Sequence, residues 1–385
     1  GTGYFCNTTG GIFTVTLPLS PSAGDVVGVS DYAKTFDTNN LTLGRNGSNI
    51  SGGADDSILG TEGIAVTLVY VDATKGWIVT DSGNQTDAPG PIFVAATGGC
   101  ITTCGNYKIH TFLSPATFTV TCGGNSGGSN SVDYLVAAGG AGGGVGIAAP
   151  TAGGGGGGGA GGFREGYNPG SYTASPLATT ALPVSVTGYP IDVGGGGGGG
   201  AIGSNSTFST IISAGGGDGA NAATSYTAGN AGGSGGGAGA GNPGASGVQS
   251  GGAGNTPPVS PSQGFPGGDV GPGSGIRHAA GGGGATVAGT TRTSNSTGGP
   301  GGTGATSSIN GSPTARAGGG GGGSGNGSLG GCGAAGGGNG AKDSTAATSA
   351  TINSGSGGGG GGDQEAPATG GSGGSGIVII RYKFQ

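Results

Sequence analysis

Glycine fills seven consecutive positions at 153–159 and again at 194–200, and six at 318–323 and at 357–362. A stretch without side chains has nothing apolar to bury, so it cannot form the interior of an ordinary helix-and-sheet domain. Collagen is excluded as well, because the glycines come in runs and not at every third position. Shorter glycine-rich blocks recur at 215–217, 232–237, 281–284 and 336–338. Of 109 glycines in 385 residues, 22 lie in residues 1–134 and 87 in residues 135–385. That imbalance requires two kinds of domain.

Glycine-rich low-complexity sequence is ordinarily disordered, because it cannot offset the entropy of ordering. Here two apolar strands bracket the region: Val132–Ala138 runs into Gly139-Gly140, and Ile377–Phe384 follows Gly376. Between them lie Phe163, Tyr167, Tyr172, Tyr189, Phe208, Tyr226 and Phe265, with short apolar pieces such as Leu182–Val186 and Thr210–Ile212. The ordered alternative is a bundle of polyglycine II helices, with three residues per turn and about 3.1 Å rise. Such helices have no internal hydrogen bonds, so every peptide group must find a partner on a neighbouring helix. Pairing the opening and closing strands clasps the region into one domain. It also brings Asp133 and Arg381 within reach of each other, as an exposed pair contributing about 0–1 kcal/mol.

The segments before residue 132 read differently. Ile12–Leu17 alternates apolar and hydroxyl residues, Asp25–Val29 and Leu41–Leu43 repeat the theme, and Arg45-Asn46-Gly47-Ser48 supplies a turn. Ile64–Val71 leads through Asp72–Gly76 into Trp77–Val79 as a hairpin. The expected fold is therefore all-β fibre modules followed by a glycine-rich domain of packed polyglycine II helices, with essentially no α-helix. The expected domains are a β-rich shaft module at 1–83, a second small β module and linker at 84–131, and a glycine-rich tip domain at 132–385. Modules this small bury little surface alone, which points to chains sharing a core. A homotrimer is the form expected by analogy with fibres.

Composition excludes several functions. Residues 1–134 hold ten Asp or Glu against four Lys or Arg, and the whole chain has a net charge of −6. With no basic stripe, nucleic acid is not an expected partner. No apolar run approaches the roughly 18–20 residues that span a bilayer, so membrane insertion is not expected. The start at Gly1, in mid-pattern, suggests a fragment or processed chain. No phosphate-binding Gly-x-x-x-x-Gly-Lys-Ser/Thr occurs, and Asp55-Asp56 reads as a turn, not as an acid–base pair. The expectation is no enzyme, no catalytic residue and no cofactor. Cys6, Cys100, Cys104, Cys122 and Cys332 show no zinc-binding spacing with His110 or His278, so no metal site is expected. Either a Cys100–Cys104 or Cys104–Cys122 bridge, or small buried thiols, fits their positions.

Residues 163–193, 242–280, 285–317 and 341–356 join the glycine blocks and concentrate Pro, Ser, Thr, Asn, aromatic and charged residues. Loops on a rigid scaffold are where binding surfaces sit, and aromatic and Arg side chains dominate binding hot spots. The candidate receptor contacts are Tyr167, Tyr172, Phe265, Arg277, His278 and Arg292.

The run Tyr134–Gly140, Gly161-Gly162-Phe163-Arg164, Asn205-Ser206-Thr207-Phe208 and the closing Gly373-Gly374-Ser375-Gly376-Ile377-Val378-Ile379-Ile380-Arg381-Tyr382 together resemble the glycine-rich C-terminal domain of bacteriophage tail fibres. The resemblance covers about two thirds of the chain. The first module resembles a repeat in tail fibres of phages of aquatic bacteria, through Thr14–Pro18, Ser22–Val27, Asp31-Tyr32-Ala33, Arg45–Ser48 and Val69–Trp77. The architecture is also similar to distal adhesins of T-even-type phages, whose polyglycine II sandwich presents loops to a host receptor. The four cysteines at 100, 104, 122 and 332 depart from the usual pattern. The resemblance implies a virion tail-fibre adhesin. Its partners would be a bacterial surface protein or glycan, and other tail proteins through the N-terminal side. The alternative is a structural filament or surface-layer protein with no selective ligand. Ice binding, which glycine-rich antifreeze proteins perform, needs a flat regular face that long irregular loops would disrupt.

Overall fold

In a computed structural model the described residues are 1–84, 91–148, 153–223, 227–240, 247–272, 277–294, 297–325, 327–343, 345–363 and 368–385. They contain strands and no helix, so none crosses a membrane as a long apolar helix would. The chain divides into two compact units, Gly1–Gly90 and Pro91–Gln385. Residues 85–90, at the start of the module and linker expected at 84–131, lie outside the described residues.

The first unit holds β1 (Thr2–Cys6), β2 (Phe13–Thr16), β3 (Val26–Asp31), β4 (Leu41–Gly44), β5 (Ser57–Leu59), β6 (Ile64–Asp72) and β7 (Gly76–Asn84). One sheet runs β1-β3-β6-β7 and a smaller one β2-β4-β5. Alternation along β3 and β4 places Val27, Val29, Leu41 and Leu43 inside, with Leu68, Phe36 and Trp77 completing the core. The expected turn forms at Arg45–Ser48, with Ser48 N–H donating to Arg45 C=O and positive φ at Asn46 and Gly47. Asp31 is buried, and it accepts backbone N–H bonds from Thr35, Phe36 and Gly63 at 3.0–3.1 Å.

The second unit starts with β8 (Val94–Thr97), β9 (Cys100–Cys104), β10 (Tyr107–Phe112), β11 (Ala116–Gly123) and β12 (Ser131–Ala137). It continues with β13 (Phe163–Tyr167), β14 (Ala178–Thr180), β15 (Leu182–Pro183), β16 (Gly188–Asp192), β17 (Ser206–Phe208) and β18 (Ile211–Ser213). A hairpin of β19 (Ala305–Ser307) and β20 (Thr314–Arg316) and the closing β21 (Ile377–Lys383) complete it. The main sheet has the order β14-β13-β12-β21-β10-β9, with β15 against β12. A second sheet runs β18-β17-β16-β11-β8. The opening and closing strands do pair, antiparallel, with Asp133 opposite Arg381. Both residues are buried, unlike the exposed pair expected.

The strands of 91–123 are not a module of their own. β10 bonds to β21 and β11 bonds to β16, so these strands extend the two sheets of the glycine-rich unit. One face of the main sheet (Val132, Tyr134, Val136, Val378, Ile380, Tyr382) packs with Phe118, Phe208 and Ile191 of the second sheet. The opposite face (Leu135, Ala137, Phe163, Ile377, Ile379) packs on Ala160, Ala285, Ala305, Ile309 and Ala317. All five cysteines are free. Cys100 and Cys104 end one extended strand, which at about 3.3 Å per residue separates them too far for a bridge.

The glycine runs pack side by side. Gly154, Gly157 and Ala160 donate N–H to the carbonyls of Arg277, Ala280 and Gly283. Gly155, Gly158 and Gly161 donate to Gly361, Gly358 and Gly355, and Gly156, Gly159 and Gly162 to Ala220, Gly217 and Ala214, all at 2.7–3.1 Å. The carbonyls of the same run accept from Ala138, Ala141 and Gly144, from Ser234, Gly237 and Ala240, and from Gly320 and Gly323. Successive residues thus turn to different neighbours and return to the same one every third residue, the period of polyglycine II. The interior of this bundle is peptide groups, and side chains are excluded from it sterically. A Cβ on Gly158 would fall under 3.0 Å from the carbonyl oxygen of Ala141.

Candidate binding surface

The chain crosses the bundle repeatedly, and hydrogen-bond register shows which residues share an end. Residues 137–138 and 376–377 join the bundle to the main sheet. At the other end, Gly154 bonds to Arg277 and Ala240, Ala222 to Val145, Gly146 to Ala368, and Ser324 bridges Lys342. On this remote end Arg277 and His278 open one run. Arg292 closes another, its carbonyl accepting from Gly271 and its N–H donating to Asp269 C=O at 2.8 Å.

His278 is buried, and its Nδ1 has no hydrogen-bond partner among the described residues. Burial first, then the charges of Arg292 and Arg277, hold its pKa below the ordinary 6.5, with Asp343 acting the other way. Three of the six candidates are therefore gathered in one place, on two runs held rigidly by backbone bonds, with Arg277 and Arg292 half-buried and His278 beneath the surface. Side chains at the end of the bundle lie outside the peptide interior, so this end can present a specific pattern of charge and shape.

The other three candidates lie elsewhere. Tyr167 and Tyr172 pack edge to face at the sheet end, with ring centroids 5.9 Å apart. Tyr172 turns inward: its hydroxyl donates to Glu165 Oε1 at 2.9 Å, and the Arg381 guanidinium sits 5.5 Å from its ring centroid. Burial, then the charges of Glu165 and Asp133, raise its pKa far above the tyrosine range. Phe265 is half-buried within the bundle, donating its N–H to Gly284 and accepting from Gly235.

The expected loop 242–280 is not a single loop. Gln249, Gly252, Gly267 and Gly268 make bundle hydrogen bonds, and so do Thr290, Gly302, Thr348 and Thr351 in the expected loops 285–317 and 341–356. Outer runs face neighbours on only some sides, so their other positions carry side chains, and composition alone mistakes them for loops.

A buried polar layer at the sheet end also went unread in the sequence. Glu165 accepts from Tyr172, from the N–H of Ser175 and from the Ser307 hydroxyl, while Asp133, Arg316 and Arg381 are buried beside it. Its members come from β12, β13, β19, β20 and β21, and only the fold brings them together. Among the described residues no group of three His, Cys, Asp or Glu side chains is placed to hold a metal ion.

A family model described as a glycine-rich domain matches residues 113–383. No curated protein matches the sequence.

Proposed function

We propose, from the premise that this chain belongs to the glycine-rich domain family, that it is a non-enzymatic adhesin, the receptor-binding part of a bacteriophage tail fibre. The remote end of the bundle is its contact surface for a bacterial surface protein or glycan. The observation that carries this reading is the gathering of the half-buried Arg277 and Arg292, on two laterally bonded runs beside the buried His278, at the end away from the main sheet. A peptide-filled bundle holds side chains at its end without an apolar core beneath them, and this pre-organisation lowers the entropy lost on binding. Homotrimeric assembly and attachment to other tail proteins through the N-terminal side belong to the same proposal.

The test is adhesion of the purified, fluorescently labelled chain to a panel of aquatic bacteria. The chain should bind a subset of strains. The double substitution Arg277→Ala/Arg292→Ala should weaken that binding by about tenfold or more, the scale of a hot-spot loss, with unchanged thermal unfolding. Binding to no strain, or equal binding by the double variant, would overturn the assignment. End-to-end repeating filaments in electron micrographs would point to a structural protein instead.

A further inference from the structure

The geometry points to a second binding site, for a single sugar ring, in a cleft at the end of the main sheet's strands that faces away from the bundle. The cleft holds about 190 Å3 and is lined by Tyr107, Asn125, Ser126, Gly128, Ser129, Asn130, Ser131, Asn168 and Lys383. At a water's share of about 30 Å3 this equals roughly six waters, room for one ring and not for a peptide segment. Four adjacent strands create it where they end: β10 begins at Tyr107, β12 begins at Ser131, β21 ends at Lys383 and β13 has just ended before Asn168. The turn 125–130 forms its remaining wall.

Two buried charges fix the cleft's walls. Asp133 Oδ1 accepts from both the backbone N–H and the side-chain Nδ2 of Asn168, at 2.7 and 3.0 Å. Arg381 lays its guanidinium over the Tyr107 ring at 4.2 Å from the centroid and donates to the carbonyl of Ser171 at 2.9 Å. Ser131 Oγ donates to Asn168 Oδ1 at 3.2 Å. Burying charges is costly, and here they orient one amide and one aromatic ring toward the same opening, as a pre-organised site requires.

The chemistry of the lining selects the ligand. Side-chain amides and hydroxyls each both donate and accept. Among the described residues the side chains of Ser126, Asn130 and the Tyr107 hydroxyl make no hydrogen bond of their own. Among the lining residues Lys383 is the lone cation, its ammonium 5.5 Å from the Phe93 ring centroid. Mixed donors and acceptors beside an aromatic wall match a polyhydroxylated ring and suit neither an apolar ligand nor a polyanion. The site lies at the opposite end of the unit from Arg277 and Arg292 and does not depend on the adhesin reading.

Saturation-transfer NMR on the whole chain, with glucose, galactose, mannose, N-acetylglucosamine and glucuronate as separate probes, tests the assignment. At least one ring should bind in the millimolar range. Ser126→Ala/Asn130→Ala should weaken it at least tenfold, Tyr107→Phe should weaken it several-fold, and Arg277→Ala/Arg292→Ala should leave it unchanged. If the first variant fails to fold, Tyr107→Phe decides alone. No binding of any ring to the wild type would overturn the site. So would equal binding by the cleft variants, or loss of sugar binding only in the remote-end variant, which would place the sugar on the adhesive surface.

Discussion

Single residues in this chain are governed by what a Cβ or a charge would meet. Gly158 and Gly195 both lie in seven-glycine runs, yet a Cβ on Gly158 collides with backbone oxygen whereas one on Gly195 meets nothing within 4 Å. Gly158→Ala should therefore destabilise the second unit by about 1–3 kcal/mol or more, as overpacking does. Gly195→Ala should be neutral or slightly stabilising, and urea unfolding of the two variants measures the difference. The sequence made these two glycines equivalent, because which run is surrounded and which is peripheral depends on neighbours scores of residues away. Asp31 poses the electrostatic counterpart in the first unit. Burial acts to raise its pKa, but N–H bonds from Phe36, Gly63, Thr35 and Lys34 outweigh it and hold the carboxyl below the ordinary 3.8. A depressed carboxylate contributes stability that is present above its unfolded pKa and lost as pH falls through the folded one. Asp31→Asn should cost the first unit about 1.5–3 kcal/mol at neutral pH, and wild type and variant should converge in acid below the ordinary carboxyl value.

Among elements, those with local partners were legible. The β6–β7 hairpin carries its own alternation and turn, and the pairing of β12 with β21 was readable because two apolar strands bracket the glycine. The attachment of β10 was not, since its partner β21 lies some 270 positions on and nothing near Tyr107–Phe112 marks the pairing. His110 locks that joint. Its Nδ1 meets Gly98 C=O at 2.7 Å, and its Nε2 meets the Tyr382 hydroxyl at 3.1 Å. Burial first, then the charge of Lys108, hold its pKa below the ordinary 6.5 against the opposing hydrogen bond to Gly98. The folded unit thus keeps the ring neutral, while the unfolded chain takes up a proton near 6.5. Stability of the second unit should be full above that value, decline as pH falls from 6.5 toward the lowered folded pKa, and level off beneath it. His110→Phe should lose about 1–3 kcal/mol at neutral pH by leaving the Gly98 carbonyl without its ring partner and the Tyr382 hydroxyl with Ala96 alone. It should also flatten that pH dependence, which thermal unfolding across pH 4–8 reads directly. The candidate surface was legible to the same partial degree. Arg277, His278 and Arg292 stand out as large polar residues near glycine blocks, whereas Tyr172 looks identical in sequence to an exposed contact and is in fact held by Glu165.

For the whole second unit, cohesion is distributed over lateral backbone bonds, and this gives the molecule a characteristic pattern of amide protection. In the run 154–162 every N–H is bonded, in rotation, to one of three neighbours, and the carbonyls receive from three more. Opening any of these bonds requires displacing surrounding runs, so their exchange should track global unfolding and match that of β12 and β21. The peripheral run 194–200 has neighbours on fewer sides. Gly194 donates to Ser206 Oγ, Gly197 to Gly140 and Gly200 to Gly143, whereas Gly195, Gly196, Gly198 and Gly199 are exposed and donate to nothing among the described residues. Protection there should recur at every third amide, slow at 194, 197 and 200 and fast between. A β-strand at a sheet edge would instead alternate with period two, and a flexible glycine linker would show no slow amide in either run. Residue-resolved hydrogen exchange by NMR distinguishes the three patterns. Uniform protection along 154–162 with period-three protection along 194–200 is the outcome that a laterally bonded polyglycine II bundle requires.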